Sequence, residues 1–394
     1  MKLLIVGFAL LTCTSIAAQN WNGNQTQNSL KDYVSKKDIS YVADGKVYHK
    51  LDIYYPKEEK ESYPVIIHIY GSAWLMNDYK GSADLGTMGE ASLKNGYIFV
   101  TPNHRSCNDA VFPAQLNDIK AVVRYLRGNA ESLKIDTSFI GISGFSSGGH
   151  LASLMGTTRN EKVGTKGNVT FDLEGNLGDY LEYSSSVDAV CNWSGPICLT
   201  KEDGCGLIMN SNGSYEASEM GCEARGNEDK YALATAISYI DPSDPPFLIV
   251  HGSKDNIVPQ CQGERFNKAL QDGGVESKFV GTSGDHKVDA NSMDKMVRFF
   301  NEAREKKAQN KDLTRTEDMK NKSYDIYEQS GIVYLPTEEN IYYQILDVSG
   351  KIVQKGIAFE GQINVKKLRK GLYYISYVQE GEKMIKEILL KKEK

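Results

Sequence analysis

The stretch Gly144-Phe145-Ser146-Ser147-Gly148-Gly149-His150 decides the fold that we expect for this chain. Residues 138–143 before it predict a short buried strand, and residues 150–155 after it predict the start of a helix. A Gly-x-Ser-x-Gly motif between a strand and a helix is typical of a nucleophile elbow, because its glycines permit a very tight turn that holds the serine hydroxyl at the end of the sheet. The flanking elements carry this inference, since the five-residue motif alone is weak. We therefore predict Ser146 as a nucleophile.

The length and charge of the chain limit the classes of protein to consider. Its 394 residues suffice for one large domain and a smaller one. The formal net charge of -5 gives no reason to expect nucleic acid or an anionic membrane surface as a partner.

The first residues predict a secretory signal peptide over residues 1–18. Lys2 supplies the positive charge, residues 3–11 are apolar, and residues 15–18 offer small side chains for cleavage. The apolar run is too short for a transmembrane helix, and no later segment is long enough. A buried amino-terminal element is one alternative. A lipoprotein signal at Cys13 is another, disfavoured because Thr12 is a poor residue before a lipidated cysteine.

Removal of that signal leaves an even number of cysteines, which favours disulfides in an exported protein. Six cysteines allow 15 pairings, and the sequence does not choose among them. Three of the six lie in or beside one insertion rich in Gly, Ser and Asn, so we expect at least one bridge there. A zinc site is disfavoured because the chain has no Cys-x-x-Cys pair and no nearby histidine cluster. The six cysteines are Cys107, Cys191, Cys198, Cys205, Cys222 and Cys261, of which Cys198, Cys205 and Cys222 belong to the insertion.

Strand and helix patterns alternate through the first three quarters of the chain. A hairpin is predicted around Asp44-Gly45, and the continuous apolar run at residues 64–70 predicts a strand buried on both faces. Strands alternating with helices indicate a mostly parallel sheet covered on both sides, which we expect over residues 38–305. The further predicted strands are 97–100, 187–190 and 246–250, and the predicted helices lie within 111–133, 263–271 and 292–306.

The remainder of the chain has a different pattern. A charged, sparsely apolar stretch predicts a linker over residues 306–323. Beyond it, strand-like runs separated by turn signals predict a small all-β domain over residues 324–394, of a size that can fold alone. Those runs are 332–335, 341–346, 371–377 and 384–390, with turns at 349–350 and 380–381.

A serine nucleophile needs a base, and the base needs a carboxylate that fixes its tautomer. In folds that carry their serine on such a nucleophile elbow, the three residues follow the chain order serine, acid, histidine. His286 lies in a loop before the final helix, where the base is expected, whereas His150 is too near Ser146 in sequence and His251 lies in a strand-end turn. Asp255, in the loop after a predicted strand, is the predicted acid.

Three other aspartates are alternatives for the acid. Asp285 is adjacent to His286, and neighbouring residues rarely face each other, so a solvated loop position is the favoured interpretation. Asp241 and Asp244 precede the strand beside prolines and are typical of turn residues.

An oxyanion hole needs backbone N–H groups directed at the tetrahedral intermediate. We predict these donors at Ser147 and in the loop after residues 64–70, at Ser72 and Ala73. The predicted substrate pocket holds three further side chains, with a core position as the alternative for the tryptophan and an ordinary loop as the alternative for the histidine. They are Tyr70, Trp74 and His104.

Residues 38–305 resemble the α/β-hydrolase fold, specifically secreted esterases related to acetyl-xylan and feruloyl esterases and to hormone-sensitive-lipase-like carboxylesterases. The resemblance implies a mostly parallel central sheet between helices, the Ser146, Asp255 and His286 triad, and no metal or organic cofactor. The chain departs from the usual His-Gly-Gly oxyanion motif, having Tyr70 at the histidine position and Ser72 in place of a glycine. The matching stretches are 70–74, 112–118, 144–152 and 245–255.

Residues 324–394 resemble the type-A sorting domain of the Bacteroidetes type IX secretion system, through stretches 346–353, 368–375 and 386–392. The resemblance implies an immunoglobulin-like sandwich, the secretion machinery as a partner, and a secreted or outer-membrane-surface location. A carbohydrate-binding module is the alternative, because the strands carry many tyrosines.

Together these features favour a secreted serine carboxylesterase that removes acetyl or other short acyl groups from plant polysaccharide, its acylated partner. The insertions at 157–186 and 196–227 are expected to shape the leaving-group side. A feruloyl esterase is the alternative within enzymes, and a peptidase is disfavoured because no gating domain is evident. A non-catalytic surface protein that binds polysaccharide is the alternative from another class.

Overall fold

The chain divides into two units, which meet in sequence at Arg304 and Glu305. The computed structural model describes residues 30–80, 84–159, 161–199, 205, 213–321, 327–329, 331–335, 337, 339–379 and 382–390. The predicted signal peptide at residues 1–18, and part of the insertion at 196–227, lie outside the described residues.

Within the residues that the structure describes, the first unit has ten strands, eight of them in one sheet. The sheet has the order β1-β2-β4-β3-β5-β8-β9-β10 and is parallel from β4 to β10, with β1 and β2 antiparallel at one edge, while β6 and β7 pair as a separate hairpin. This confirms the mostly parallel sheet. The strands are β1 (Ser35–Ser40), β2 (Lys50–Tyr54), β3 (Tyr63–Ile69), β4 (Ile98–Pro102), β5 (Ile135–Phe145), β6 (Val163–Lys166), β7 (Val169–Asp172), β8 (Ala189–Trp193), β9 (Phe247–Gly252) and β10 (Ser277–Thr282).

Helices cover both faces of this sheet, which explains why β3, β8 and β9 are almost entirely buried. In β3, Ile67 packs into one apolar cluster and its neighbour Ile66 into the other, because successive side chains of a strand point to opposite faces. Leu116 of α2 lies in the first cluster and Phe300 of α7 in the second. The α-helices are α1 (Glu90–Lys94), α2 (Ala114–Gly128), α3 (Ser147–Thr157), α4 (Tyr215–Met220), α5 (Glu228–Leu233), α6 (Cys261–Asp272) and α7 (Met293–Asn321).

Several elements differ from the sequence-based expectation, among them strand β10 and helix α7. Strand β10 was not predicted, because it is the edge strand of the sheet and its partly exposed residues weaken the apolar signal. Helix α7 continues to Asn321 through most of the segment predicted as a linker. Ten of the sixteen residues from 306 to 321 are Lys, Ala, Gln, Leu, Arg, Glu or Met, which are good helix formers even without an apolar face.

The second unit contains two antiparallel sheets, one of three strands in the order β11-β12-β15 and one of four in the order β14-β13-β16-β17. Val333 and Ile363 of the first sheet share one buried core with Ile345 and Ile375 of the second. The predicted small all-β domain is thus confirmed as a sandwich. Its strands are β11 (Tyr327–Gln329), β12 (Ile332–Tyr334), β13 (Ile341–Asp347), β14 (Ile352–Ala358), β15 (Gln362–Asn364), β16 (Gly371–Gln379) and β17 (Glu382–Leu390).

A disulfide joins Cys205 to Cys261, across a sequence separation of 56. Cys205 belongs to the insertion where a bridge was expected, and its partner is the first residue of α6. Cys191 and Cys222 remain thiols. Among the helices that the structure describes, none is long and apolar enough to cross a membrane.

Candidate active site

Ser146 lies at the sharp turn between β5 and α3. Its φ of 53° and ψ of -123° place a side-chain-bearing residue in a backbone region that normally favours glycine. Its N–H donates to the Trp193 carbonyl at 2.9 Å, and its carbonyl accepts the His150 N–H at 3.1 Å. The turn requires glycine at 144 and 148, because a Cβ there would collide with the backbone oxygens of Gly148 and Ile69 respectively. The elbow predicted from the motif is therefore present.

The structure brings the predicted base and acid to this serine. The Nε2 atom of His286 lies 2.9 Å from Ser146 Oγ, and its Nδ1 atom lies 2.7 Å from Asp255 Oδ2. The side chains of Asp255 and His286 are 0% and 3% exposed, and the His286 ring packs 4.9 Å from that of Phe145. Such a hydrogen-bonded chain has the geometry of nucleophile, general base and orienting carboxylate.

Two loops carry the acid and the base, and the adjacent strands β9 and β10 hold these loops together. Ser253 N–H donates to the Thr282 carbonyl at 2.7 Å, and Lys254 N–H donates to the Gly284 carbonyl at 2.9 Å. A Cβ at Gly252 would collide with the Gly284 carbonyl oxygen, so the close approach requires glycine. Because β9 and β10 are parallel, their carboxyl ends lie at the same edge of the sheet.

The carboxylate of Asp255 is held in its charged form. Burial opposes ionisation, but hydrogen bonds from the side chains of His251 and His286 outweigh it, so the pKa of Asp255 lies well below its usual range. Its second oxygen accepts the N–H groups of Ile257 at 3.0 Å and Val258 at 2.8 Å. A fixed negative charge therefore faces Nδ1 of the histidine.

The three other aspartates lie where the sequence predicted them, one in a solvated loop and two in a turn. Asp285 is exposed and pairs with Lys287 at 2.9 Å rather than with the neighbouring imidazole. Asp241 accepts the Ser243 N–H at 2.9 Å, and Asp244 accepts the Asp241 N–H at 2.9 Å, as in a turn.

The loop after β3 lies against the nucleophile. A Cβ at Gly71 would lie 2.8 Å from Ser146 Cβ, so only glycine fits. Ala73 has a φ of 52°. Of the three amides predicted as oxyanion donors, that of Ser72 already has an acceptor, the side-chain oxygen of Ser147 at 2.9 Å. Ser147 itself is the first residue of α3, where a backbone N–H has no acceptor within the helix.

The three side chains predicted to line the substrate pocket are buried. Tyr70 and His104 have no exposed surface and stack with ring centroids 4.8 Å apart. Trp74 is 2% exposed and makes an edge contact with His150 at 5.3 Å. Burial lowers the pKa of His104, so its ring is neutral at pH 7. All three rings are buried, and their contact with a substrate stays a prediction.

A buried glutamine that the sequence did not single out fastens the insertion to α6. The side-chain oxygen of Gln262 accepts the N–H groups of Ile197 at 3.0 Å and Cys198 at 2.7 Å, and its nitrogen donates to the Cys205 carbonyl at 2.6 Å. The disulfide from Cys205 to Cys261 lies next to it in sequence. Gln262 would have been recognisable only through its neighbour Cys261, because a lone polar residue on an amphipathic helix gives no signal.

The strand order, the elbow and the serine–histidine–aspartate chain define the first unit as an α/β-hydrolase fold. The BD-FAE family model matches residues 51–270, more than half of the chain. The chain therefore belongs to the BD-FAE family of esterase domains. A second model, the secretion system C-terminal sorting domain, matches residues 329–391, so the second unit is a sorting domain.

Individual relatives agree with this family. The chain is 28% identical to Esterase LipQ of Mycobacterium tuberculosis over 212 residues, which cover 54% of this chain and 47% of that protein. A solved structure described as a bifunctional GH43-CE from Bacteroides eggerthii is 47% identical, with a TM-score of 0.66, covering 68% of this chain and 38% of that one. A truncated carbohydrate esterase from gut microbiota is 39% identical, with a TM-score of 0.67, covering 69% and 96%. The chain thus spans about half the length of the curated relative.

Proposed function

We propose that this protein is a secreted serine carboxylesterase that hydrolyses acetyl or other short acyl esters on plant polysaccharides. The observation that carries the proposal is the hydrogen-bonded chain from Ser146 through His286 to Asp255 at one edge of the sheet. Its order along the sequence is the one found in α/β-hydrolases.

The first half of the reaction forms an acyl-enzyme. Ser146 Oγ attacks the ester carbonyl carbon while His286 Nε2 takes the hydroxyl proton, and the carbonyl oxygen becomes an oxyanion. The oxyanion donors in this proposal are the amides of Ala73 and Ser147. Collapse of the intermediate breaks the bond to the leaving sugar oxygen, which receives the proton from His286.

The second half restores the enzyme. Water attacks the acyl carbon, His286 takes a proton from it, and the acid is released as Ser146 regains its proton. Asp255 stays ionised throughout and stabilises the imidazolium that forms twice. Because His286 performs every proton transfer, the cycle requires no metal or organic cofactor.

The substrate class is supported by the two structural relatives whose descriptions name a carbohydrate esterase or a GH43-CE enzyme. The location is supported by the sorting domain at residues 329–391, which in the type IX system directs export. An exported esterase acts where polysaccharides too large to enter the cell are found. The secretion machinery is the second proposed partner, and the signal peptide at residues 1–18 is the proposed first export signal.

The test is acetate release from acetylated xylan by the full chain and by its Ser146→Ala variant, with methyl ferulate as a second substrate. We expect acetate release by the first protein and none by the second, with circular dichroism showing that both are folded. Hydrolysis of methyl ferulate alone would move the assignment to a feruloyl esterase. Absence of hydrolysis of any ester, together with no labelling of Ser146 by a phosphonate, would favour a non-catalytic polysaccharide-binding protein.

A further inference from the structure

The side chain of Ser147 connects the elbow to the loop after β3. Its Oγ atom accepts the backbone N–H of Ser72 at 2.9 Å, across 75 positions of sequence. Both residues are 1% exposed, so water does not compete for this hydrogen bond.

The loop that receives this bond has an unfavourable backbone. Ala73 and Trp74 follow each other in the left-handed region, with φ of 52° and 58°. Two consecutive residues with side chains adopt this conformation only where their surroundings fix it. The conformation of the loop therefore depends on its hydrogen bonds.

The other hydrogen bonds described for the loop do not reach the elbow. Leu75 N–H donates to the Ser72 carbonyl at 3.0 Å, and Tyr70 Oη donates to the Met76 carbonyl at 3.1 Å. Cys107 N–H donates to the Trp74 carbonyl at 2.8 Å. Among the described contacts, the Ser147 hydroxyl alone joins the loop to α3 by a side-chain hydrogen bond.

We propose that the Ser147 hydroxyl is a positioning group that fixes the distance between the two oxyanion donors, the amides of Ser147 and Ala73. This inference rests on the proposed function. Ser147 then supplies one oxyanion donor from its own backbone. Through its side chain it also sets the position of the other donor, the amide of Ala73, which follows Ser72 in the sequence. The serine at position 72 departs from the usual oxyanion sequence, but the bond uses only its backbone N–H, so the departure does not disturb this arrangement.

The test compares Ser147→Ala with Ser153→Ala in the full chain. Ser153 is a buried hydroxyl on the same helix that donates to the Gly149 carbonyl at 2.8 Å, away from the loop. Ser147→Cys is a third variant, because a thiol has nearly the volume of a hydroxyl but is a weak hydrogen-bond acceptor. The Ser147→Cys variant takes the place of Ser147→Ala if Ser147→Ala does not fold. The readouts are kcat and KM with 4-nitrophenyl acetate, the rate of inactivation by a phosphonate ester, and Tm.

We expect kcat to fall about ten- to a hundredfold in Ser147→Ala with KM within twofold, because the donors act on the transition state. Phosphonate inactivation should slow in parallel, while Ser153→Ala keeps kcat within twofold despite a similar change in Tm. Ser147 variants with wild-type kcat would overturn the inference, as would losses of kcat that follow Tm in all variants. A wild-type chain that neither hydrolyses esters nor reacts with the phosphonate would instead overturn the proposed function itself.

Discussion

The Nε2 atom of His286 lies 2.9 Å from the Oγ atom of Ser146, although 140 positions of sequence separate the two residues. The contact exists because β5 and β10 end at the same edge of one parallel sheet, so that the elbow and the histidine loop project from that edge together. Its chemical value depends on the carboxylate of Asp255 on the other side of the imidazole.

Replacement of Asp255 by asparagine should lower kcat by about 10³- to 10⁴-fold with little change in KM, because an amide favours the wrong imidazole tautomer. Steady-state kinetics on 4-nitrophenyl acetate measure this. Asp285→Asn is the matched control, since Asp285 neighbours His286 in sequence but pairs with exposed Lys287. We expect kcat of this control to be within twofold of the wild-type value. A kcat of Asp255→Asn within tenfold of the wild-type value would contradict the assignment of the acid.

Replacement of Gly144 by alanine should remove activity and lower Tm. The new Cβ would collide with the backbone of Gly148 and Gly149, which cannot move aside as a flexible side chain can, so the elbow itself must shift. Gly281→Ala is the control, since its Cβ would meet the movable end of Gln260 at 3.2 Å. Thermal unfolding and kcat measure both variants, and equal behaviour of the two would refute the steric requirement at Gly144.

Replacement of Glu216 by glutamine should make stability less dependent on pH. Burial raises the pKa of Glu216 from 4.5 to about 7, against opposing hydrogen bonds from its own backbone and from Ser214, so the folded state disfavours the charged form. The contribution of the protonated group to stability is therefore complete below pH 4.5 and is lost as the pH rises through 7. The variant should match wild type at pH 4 and be more stable at pH 8 by up to about 3 kcal/mol.

Urea unfolding at the two pH values measures this difference. Glu131→Gln, at an exposed position, is the control and should show no comparable change between pH 4 and pH 8. A Glu216→Gln variant that is no more stable than wild type at pH 8 would show that the carboxylate has compensating partners when ionised.

Replacement of Cys205 and Cys261 by serine should reduce the free energy of unfolding by about 4 kcal/mol in the chain-entropy treatment, given the separation of 56 residues. Urea unfolding without reductant measures it, and Cys222→Ser is the control because Cys222 carries no disulfide. Wild type in reductant should resemble the double variant. A double variant as stable as wild type would mean that the Gln262 hydrogen bonds hold the insertion unaided.

The pattern of the sequence was sufficient for the main elements of the hydrolase unit. The apolar run at residues 64–70 predicted β3 because a strand buried on both faces has no polar alternation to obscure it. Strand β10 was not predicted, because it lies at the edge of the sheet and its partly exposed residues form no continuous apolar run. The linker prediction for residues 306–323 used charge and the scarcity of apolar residues, which does not prevent a helix over the part that contains many good helix formers.

What the sequence by itself determined about this protein is local: the elbow around Ser146, the alternation of strands and helices, and the chain order of the candidate triad. These follow from backbone freedom at glycine and from side-chain periodicity, which depend on near neighbours. Only the tertiary structure decided that the Ser72 amide meets the Ser147 hydroxyl, that His104 lies buried against Tyr70, and that Cys205 pairs with Cys261. Each of these contacts joins different segments of the chain, and its partner is set by how the sheet and its loops pack in three dimensions.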